Sequence, residues 1–247
     1  MTNRPNVDEQ VRLFYEQRPS ITHREDVQYV ITEDVFSKRM ELAKTKRDKK
    51  VTLQQKDFLQ QVNGNVVWGK TNNDLITAII SSKVFLLDEH TWRGTIHHEH
   101  THAHDFWDLA DSLGITEMDE IYDYEFYYPF YWWSEYHARR GGSANVYRHV
   151  YANCTTSEIT NDCNIMYDAI CHGLMRSASA YDAMQWFGRY SALKDLFGSK
   201  MLPLQVAHRK FGLSQEIINI GRFLHSHQDF NLICNSFAEF ESLVNAV

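Results

Sequence analysis

Five histidines lie within the eight residues from His97 to His104, and their spacing restricts how this part of the chain can fold. His98 and His102 are four residues apart, and Glu99 follows the first of them, in the order His-Glu-x-x-His. On an α-helix, residues four apart lie only about 40° from one another around the axis, so both imidazoles can reach one metal ion. The segment is therefore predicted to be a helix.

This helix is expected to begin near Ile96, after Arg93-Gly94-Thr95. The other three histidines, His97, His100 and His104, fall about 200–260° round from His98 on a regular helix. They cannot share a metal ion with His98, and we expect them to be solvated or to border the core. His100 and His104 are themselves four residues apart, which leaves a second, accessory ion open as an alternative.

The His-Glu-x-x-His pattern is typical of a catalytic zinc site. Zinc held by three protein ligands keeps a fourth position for water and lowers the pKa of that water to about 7. We predict that His98 and His102 bind Zn²⁺ and that Glu99 is the catalytic base, which takes the proton of the water and later delivers it to the leaving amine. Asp105, three residues after His102, is a candidate to accept the free ring N–H of that histidine.

The motif resembles the active-site helix of the zincin metallopeptidases. In the metzincin branch the third ligand follows six residues later, at Asp108 here, but Asp105 stands where that branch has the glycine at which the chain turns. In gluzincins the third ligand is a glutamate on a later helix. Glu135, 33 residues after His102, is followed by Ala138 in a Glu-x-x-Ala pattern that resembles the compact ImmA/IrrE-type gluzincins.

This resemblance covers residues 75–145 and implies a strand, the histidine helix and a second helix that carries Glu135 as the third ligand. His137 and Asp108 stay open as alternatives for that ligand. Tyr131 and Tyr136 lie beside Glu135 in an aromatic run. Either hydroxyl is a candidate to stabilise an oxyanion or to support a metal ligand.

The rest of the sequence predicts an α+β protein that is mostly helical, with a small β-sheet before the histidine helix. Asn63-Gly64, followed by Val66, Val67 and Trp68, indicates a turn into a short strand. Residues 75–87 are rich in isoleucine, valine and phenylalanine and are expected to form one strand or a hairpin. Further helices are predicted near 33–46, 131–142, 161–187, 189–197, 203–211, 214–226 and 235–245.

The 247 residues are enough for one large domain or two small ones. We expect an N-terminal helical segment over 1–62, a zincin-like catalytic core over 63–150 and a helical C-terminal region over 151–247, packed as one compact unit.

Charge and composition narrow the choice of partners. The net charge of -7 makes nucleic acid an improbable main partner, and the basic run Lys44–Lys50 is expected to be a solvated helix end or loop. The N-terminus has no apolar signal region, and no stretch approaches the ~18 apolar residues of a membrane span. None of the four cysteines forms a C-x-x-C pair. We expect a cytoplasmic protein.

The predicted function is therefore that of a zinc-dependent metallopeptidase acting on a protein or peptide. The resemblance to ImmA/IrrE-type proteins implies a narrow-specificity regulatory protease. Two alternatives stay open. One is a zincin-like binding or regulatory module without peptidase activity, and the other is a metal-free helical interaction protein.

Overall fold

The computed structural model describes residues 6–21 and 26–247. The chain forms two compact units, Met1–Tyr124 and Glu125–Val247. Most described residues are helical, and a three-stranded sheet precedes the histidine helix, which confirms the predicted fold class. Among the described residues, no helix is both long and apolar enough to cross a membrane.

The first unit contains the sheet and the histidine helix. Short 3₁₀ turns cover Ser82–Leu86 and Met118–Asp123. The helices and strands described in this unit are, in chain order, α1 (Val7–Gln17), β1 (Val27–Thr32), α2 (Val35–Leu42), α3 (Lys46–Gln54), α4 (Lys56–Leu59), β2 (Gly64–Val67), β3 (Ile76–Ser81) and α5 (Glu89–Leu113).

The strand order is β1-β3-β2, with β1 parallel and β2 antiparallel to β3. Tyr29 and Val66 both pair with Ala78, so these three side chains share one face of the sheet. That face meets α5, since the Tyr29 hydroxyl bonds a histidine of that helix. On the other face, Val67 and Ile79 pack in a buried cluster with residues of α2 and α4. One face of the sheet therefore packs against α5, and the other face is covered by α2 and α4.

Strand β1 was not predicted, because its residues fall in the segment expected to be helical. The sequence Val-Gln-Tyr-Val-Ile-Thr is rich in β-branched residues, and its partner strand begins at Ile76, 49 residues after Val27. The turn at Asn63-Gly64 does lead into a short strand, β2, as predicted. Residues 75–87 form one strand followed by a 3₁₀ turn and not a hairpin.

Helix α5 begins at Glu89, seven residues before the predicted start near Ile96. The side chain of Asp88 caps it, accepting hydrogen bonds from the backbone N–H of Thr91 at 2.8 Å and from the Thr91 hydroxyl at 2.9 Å. Gly94 therefore lies inside the helix. The helix ends at Leu113 and is capped by Gly114, whose φ of 65° suits glycine.

The second unit is entirely helical among its described elements. Two of these helices, residues 127–150 and 180–197, pack extensively on each other, and the buried Tyr136 hydroxyl of the first lies 3.1 Å from Ser191 Oγ of the second. The helices are α6 (Tyr127–Val150), α7 (Thr156–Arg176), α8 (Ala180–Phe197), α9 (Leu204–Phe211), α10 (Gln215–Ser226), α11 (Phe230–Ile233) and α12 (Phe237–Val244).

Several helix boundaries in this unit differ from the prediction. Helix α6 begins at Tyr127 and includes Pro129, which is tolerated because the first turn needs no intrahelical N–H donor. It continues through the buried pair Gly141-Gly142, where an end was predicted. The helix predicted over 161–187 is divided in two, because Ser179 caps a new helix by accepting a hydrogen bond from the N–H of Asp182 at 3.2 Å. The predicted cap Ser214 is confirmed.

A buried ion pair fastens two helices of the first unit to β2. Arg39 Nη2 lies 2.9 Å from Asp48 Oδ1, and both side chains are 4% exposed. Arg39 Nη1 also donates to Asn65 Oδ1 at 2.8 Å and to the carbonyl oxygen of Val66 at 2.7 Å. Burial raises the pKa of Asp48 although Arg39 opposes this, so the charged carboxylate depends on its partner.

We expect Arg39→Met to lower the free energy of unfolding by about 3–5 kcal/mol, because it leaves the Asp48 carboxylate buried without a counter-charge. Urea unfolding measures the change. The control is Arg47→Met in α3, whose bonds to Asp123 are exposed, and its urea midpoint should stay close to that of the parent. Equal shifts in the two variants would contradict the importance of the buried pair.

Candidate metal centre

His98 and His102 form a pair on one side of α5. Their Nε2 atoms lie 3.1 Å apart, and the rings are nearly perpendicular at 85°. The side chains are buried, with 9% and 7% of their surface exposed. The spacing of four residues on a regular helix brings the two nitrogens together, as predicted from the sequence.

The distance between these nitrogens fits a shared zinc ion. Two nitrogens that bind one tetrahedral zinc, each at about 2.0–2.1 Å, are about 3.3–3.4 Å apart. The observed 3.1 Å is within a few tenths of an ångström of that value. An N–H···N hydrogen bond between neutral imidazoles spans a similar distance. The pair is thus arranged to share either a proton or a metal cation, and its donor atoms suit zinc.

The three remaining histidines of this stretch lie around Phe14 of α1. The Phe14 ring centroid is 5.7 Å from that of His97, 4.5 Å from that of His100 and 5.5 Å from that of His104. All three histidines are buried. The prediction that they lie away from His98 and border the core is confirmed.

Tyrosine hydroxyls bond two of these histidines. The Tyr15 hydroxyl lies 3.0 Å from Nε2 of His100 and also 3.0 Å from Nε2 of His104. The Tyr29 hydroxyl lies 2.5 Å from Nδ1 of His100. A second ion between His100 and His104 would need the space that the Tyr15 oxygen fills, so the structure does not support the alternative of an accessory metal at this pair.

Glu99 lies in close contact with β2 of the sheet. The side chain is 4% exposed, and a Cβ atom built on Gly64 would be 2.6 Å from its Oε1 and 2.7 Å from its Cγ. The φ angle of Gly64 is not positive, so the glycine is required by this contact and not by its backbone conformation. Burial, together with the nearby Tyr15 and Glu99, raises the pKa of Tyr29 well above its usual value.

Gly64 is a position in contact with a candidate site residue that sequence reasoning missed. The Asn-Gly dipeptide has a sufficient local explanation as a turn, and nothing in the sequence indicates that Glu99 reaches this strand. The consequence is that the shape of β2 determines where the Glu99 carboxylate can lie.

The two aspartates that follow the motif differ in burial. Asp105 is 1% exposed, whereas Asp108 is exposed to solvent. Helix α5 continues without interruption to Leu113, so Asp108 lies about 240° round and about 9 Å along the axis from His102. The structure therefore does not bring Asp108 to the histidine pair, and the metzincin arrangement of the third ligand is not formed.

Glu135 is a buried residue of α6 and is 5% exposed. Its Oε2 accepts a hydrogen bond from Nε2 of Gln185 at 2.9 Å. Tyr131 lies one turn earlier on the same helix. Burial and the neighbouring Glu135 carboxylate raise the pKa of Tyr131 well above its usual value, so this hydroxyl is protonated near neutral pH. Gln185 was also missed by sequence reasoning, since it belongs to no motif.

The other two candidates of α6 make contacts in the helical core. The Tyr136 hydroxyl lies 3.1 Å from Ser191 Oγ and 3.3 Å from the carbonyl oxygen of Leu224. Burial raises the pKa of Tyr136 to about 12. The His137 ring stacks on Trp133, with 5.0 Å between the ring centroids. The hydroxyl of Tyr136 is therefore engaged within the second unit.

Comparison of the chain with family models, with curated proteins and with solved structures found no match. The chemistry of the candidate residues therefore follows from their own side chains. In the first unit these are a pair of converging imidazoles and a glutamate adjacent in sequence. In the second unit, the candidate is the buried Glu135 of α6.

We expect Gly64→Ala to lower the free energy of unfolding by about 1–3 kcal/mol, because the added methyl group overlaps the Glu99 side chain. In a Glu99→Ala background the same substitution should cost less than about 1 kcal/mol, since the overlapping atoms are gone. Urea unfolding of the four proteins of this cycle measures the difference. An equal loss in both backgrounds would show that β2 rejects a side chain for another reason.

Proposed function

We propose that this chain is a zinc-dependent metallopeptidase in which His98, His102 and Glu135 bind the ion and Glu99 is the general base. The observation that carries the proposal is the buried imidazole pair, with Nε2 atoms 3.1 Å apart. The three proposed ligands are two imidazoles and one carboxylate, all buried. This is one of the donor sets that catalytic zinc sites use, with one position left for water or substrate.

The proposed mechanism assigns proton transfer to Glu99. The Glu99 carboxylate takes a proton from the attacking water and then delivers it to the amine of the cleaved peptide bond. His98, His102 and Glu135 would hold a zinc ion, whose Lewis acidity would polarise a carbonyl group and lower the pKa of water to about 7. The absence of a side chain at Gly64 leaves the space that the Glu99 carboxylate fills.

Two further side chains have supporting roles in this proposal. Asp105 is buried three residues after His102 and would accept the ring N–H of that histidine, which fixes its tautomer. The Tyr131 hydroxyl lies beside Glu135, whose negative charge contributes to the raised pKa of Tyr131, and it would donate a hydrogen bond to this carboxylate.

The proposed substrate is a peptide bond in a protein or peptide, and the resemblance to ImmA/IrrE-type peptidases favours a narrow-specificity regulatory protease. We place the protein in the cytoplasm as part of the same proposal. All four cysteines lie in the described part of the chain and are free thiols, in keeping with a reducing compartment.

The first test is the zinc content of the purified protein, measured by inductively coupled plasma mass spectrometry. We expect about one zinc per chain, and we expect His98→Ala and His102→Ala to lose it because each removes one ligand. His104→Ala is the matched control from the same helix, and it should retain zinc. Less than about 0.2 zinc per chain after zinc addition would contradict the proposal and favour a metal-free interaction protein.

The same measurement assigns the third ligand. Glu135→Ala should release the zinc, whereas Asp108→Ala should retain it, because Asp108 lies on another side of α5. Release of zinc by the Asp108 variant alone would show that the assignment of Glu135 is wrong.

The second test concerns Glu99. We expect Glu99→Gln to retain zinc and to lower the rate of peptide hydrolysis by roughly 10²–10⁴, because the amide cannot accept the proton. A library of internally quenched peptides is the probe, and zinc content is measured on the same samples. An unchanged rate would exclude Glu99 as the base. A zinc-loaded parent that cleaves neither this library nor a cellular protein extract would instead favour a zincin-like binding module.

A further inference from the structure

A chain of polar contacts connects α6 and α8 within the second unit. Glu135 and Arg139 are one turn apart on α6, and Gln185 of α8 bonds both of them. The Nε of Arg139 donates a hydrogen bond to Gln185 Oε1. The Nε2 of Gln185 donates to Glu135 Oε2 at 2.9 Å. The glutamine amide therefore lies between a guanidinium and a carboxylate.

These two charges fix the orientation of the Gln185 amide. A reversed amide would place its oxygen against the Glu135 carboxylate and its NH₂ group against the Arg139 guanidinium, and both contacts would be repulsive. The carbonyl oxygen must therefore face Arg139, and the NH₂ group must face Glu135. The direction of the hydrogen bond to Glu135 is in this way determined by Arg139.

A glycine allows the amide to reach Glu135. Gly188 lies three residues after Gln185 on α8, and a Cβ atom there would be 2.7 Å from Arg139 Cβ and 2.8 Å from the carbonyl oxygen of Tyr136. The backbone of α8 thus lies directly against α6 at this level. A larger residue would separate the helices and lengthen the hydrogen bond between Gln185 and Glu135.

The neutral charge of the glutamine matters for the chemistry. An arginine in direct contact with Glu135 would form an ion pair that competes with a metal cation for the carboxylate. Here the guanidinium of Arg139 donates to Gln185 instead, and the Gln185 amide donates to Glu135. The neutral amide can thus orient the Glu135 carboxylate without neutralising its charge. Neutral hydrogen-bond donors around a ligating carboxylate typically hold it in the orientation that the metal requires.

We propose that Gln185, oriented by Arg139, is a positioning residue that holds the Glu135 carboxylate for a metal ion. The inference rests on the proposed function, in which Glu135 is the third ligand. Residues of this kind do not touch the ion, yet their loss typically weakens metal binding by about 10- to 100-fold.

The test uses the full chain and the variant Gln185→Met, which keeps the length of the side chain but removes its donor. The zinc dissociation constant is measured by competition with a chelator, and the visible spectrum is recorded after loading with Co²⁺. We expect zinc binding about 10- to 100-fold weaker than in the parent, and a changed cobalt spectrum, because the carboxylate is no longer held.

The matched control is Gln205→Met. Gln205 is a half-buried glutamine of α9. With its amide oriented so that the oxygen faces Arg222, this oxygen accepts hydrogen bonds from Nε of Arg222 at 2.7 Å and from Nη2 at 2.9 Å. It undergoes the same chemical change in the same unit, and its zinc affinity and cobalt spectrum should match those of the parent.

Arg139→Met is a second variant, which serves if Gln185→Met does not fold. It keeps the donor of Gln185 but removes the group that orients the amide. We expect weaker zinc binding than in the parent, with a loss smaller than about 10-fold. Parent-like zinc affinity in this variant would show that Arg139 does not orient the glutamine.

The outcomes separate this inference from the proposed function. A parent that takes up no zinc, or a Glu135→Ala variant that binds zinc as tightly as the parent, overturns the assignment of Glu135 and the inference with it. If Glu135→Ala loses zinc while Gln185→Met keeps parent-like affinity and the parent cobalt spectrum, the positioning role alone is wrong. An equal loss in Gln185→Met and Gln205→Met also overturns it, because the effect is then not specific to Glu135.

Discussion

Every residue of α5 from Thr95 to Trp107 is buried, and five of them are histidines. A buried imidazole is costly unless its polar nitrogens find partners, so this helix needs polar groups on more than one side. Other elements of the first unit provide such hydrogen-bond partners. Helix α1 contributes Tyr15, and β1 contributes Tyr29 to the same face of α5. On another side the two imidazoles of the motif face each other.

The same helix accounts for features of the sheet. Strand β2 begins with a glycine because the Glu99 side chain lies against it, and Tyr29 projects from the face of the sheet that meets α5. The buried Arg39–Asp48 pair then fastens β2 to the helices on the opposite face. The two faces of the small sheet therefore make different kinds of contact. One is packed against histidines, and the other against an apolar cluster.

Structural features that are determined by residues close in sequence could be predicted more readily than features that depend on distant contacts. The side of α5 that carries His98 and His102 follows from helical periodicity alone, and it was predicted correctly. The predicted start of α5 is too late, because the helix is capped by Asp88 ahead of the histidine motif. The predicted end of α6 is too early, because Gly141-Gly142 is typical of a helix end but is buried inside this helix.

Features that depend on distant contacts were missed. Strand β1 needs a parallel partner 49 residues away. Gln185 bonds Glu135 where the backbone of α8 at Gly188 lies close to α6, and the two polar residues are 50 positions apart. For the candidate site, the placement of His98 and His102 side by side on α5 could be predicted, whereas the contacts of Gly64 with Glu99 and of Gln185 with Glu135 could not. Such contacts are determined by shape and hydrogen-bond direction, which leave no fixed spacing in a sequence.

The Tyr15 hydroxyl gives the two sides of α5 different chemistry. Both sides carry histidines four residues apart, and a count of such pairs would assign the helix two equivalent cation sites. One phenol group from α1 removes that equivalence, because it satisfies His100 and His104 with hydrogen bonds. In the proposed function, the number of ions that this helix binds is therefore set by the N-terminal helix, an element that contributes no ligand of its own.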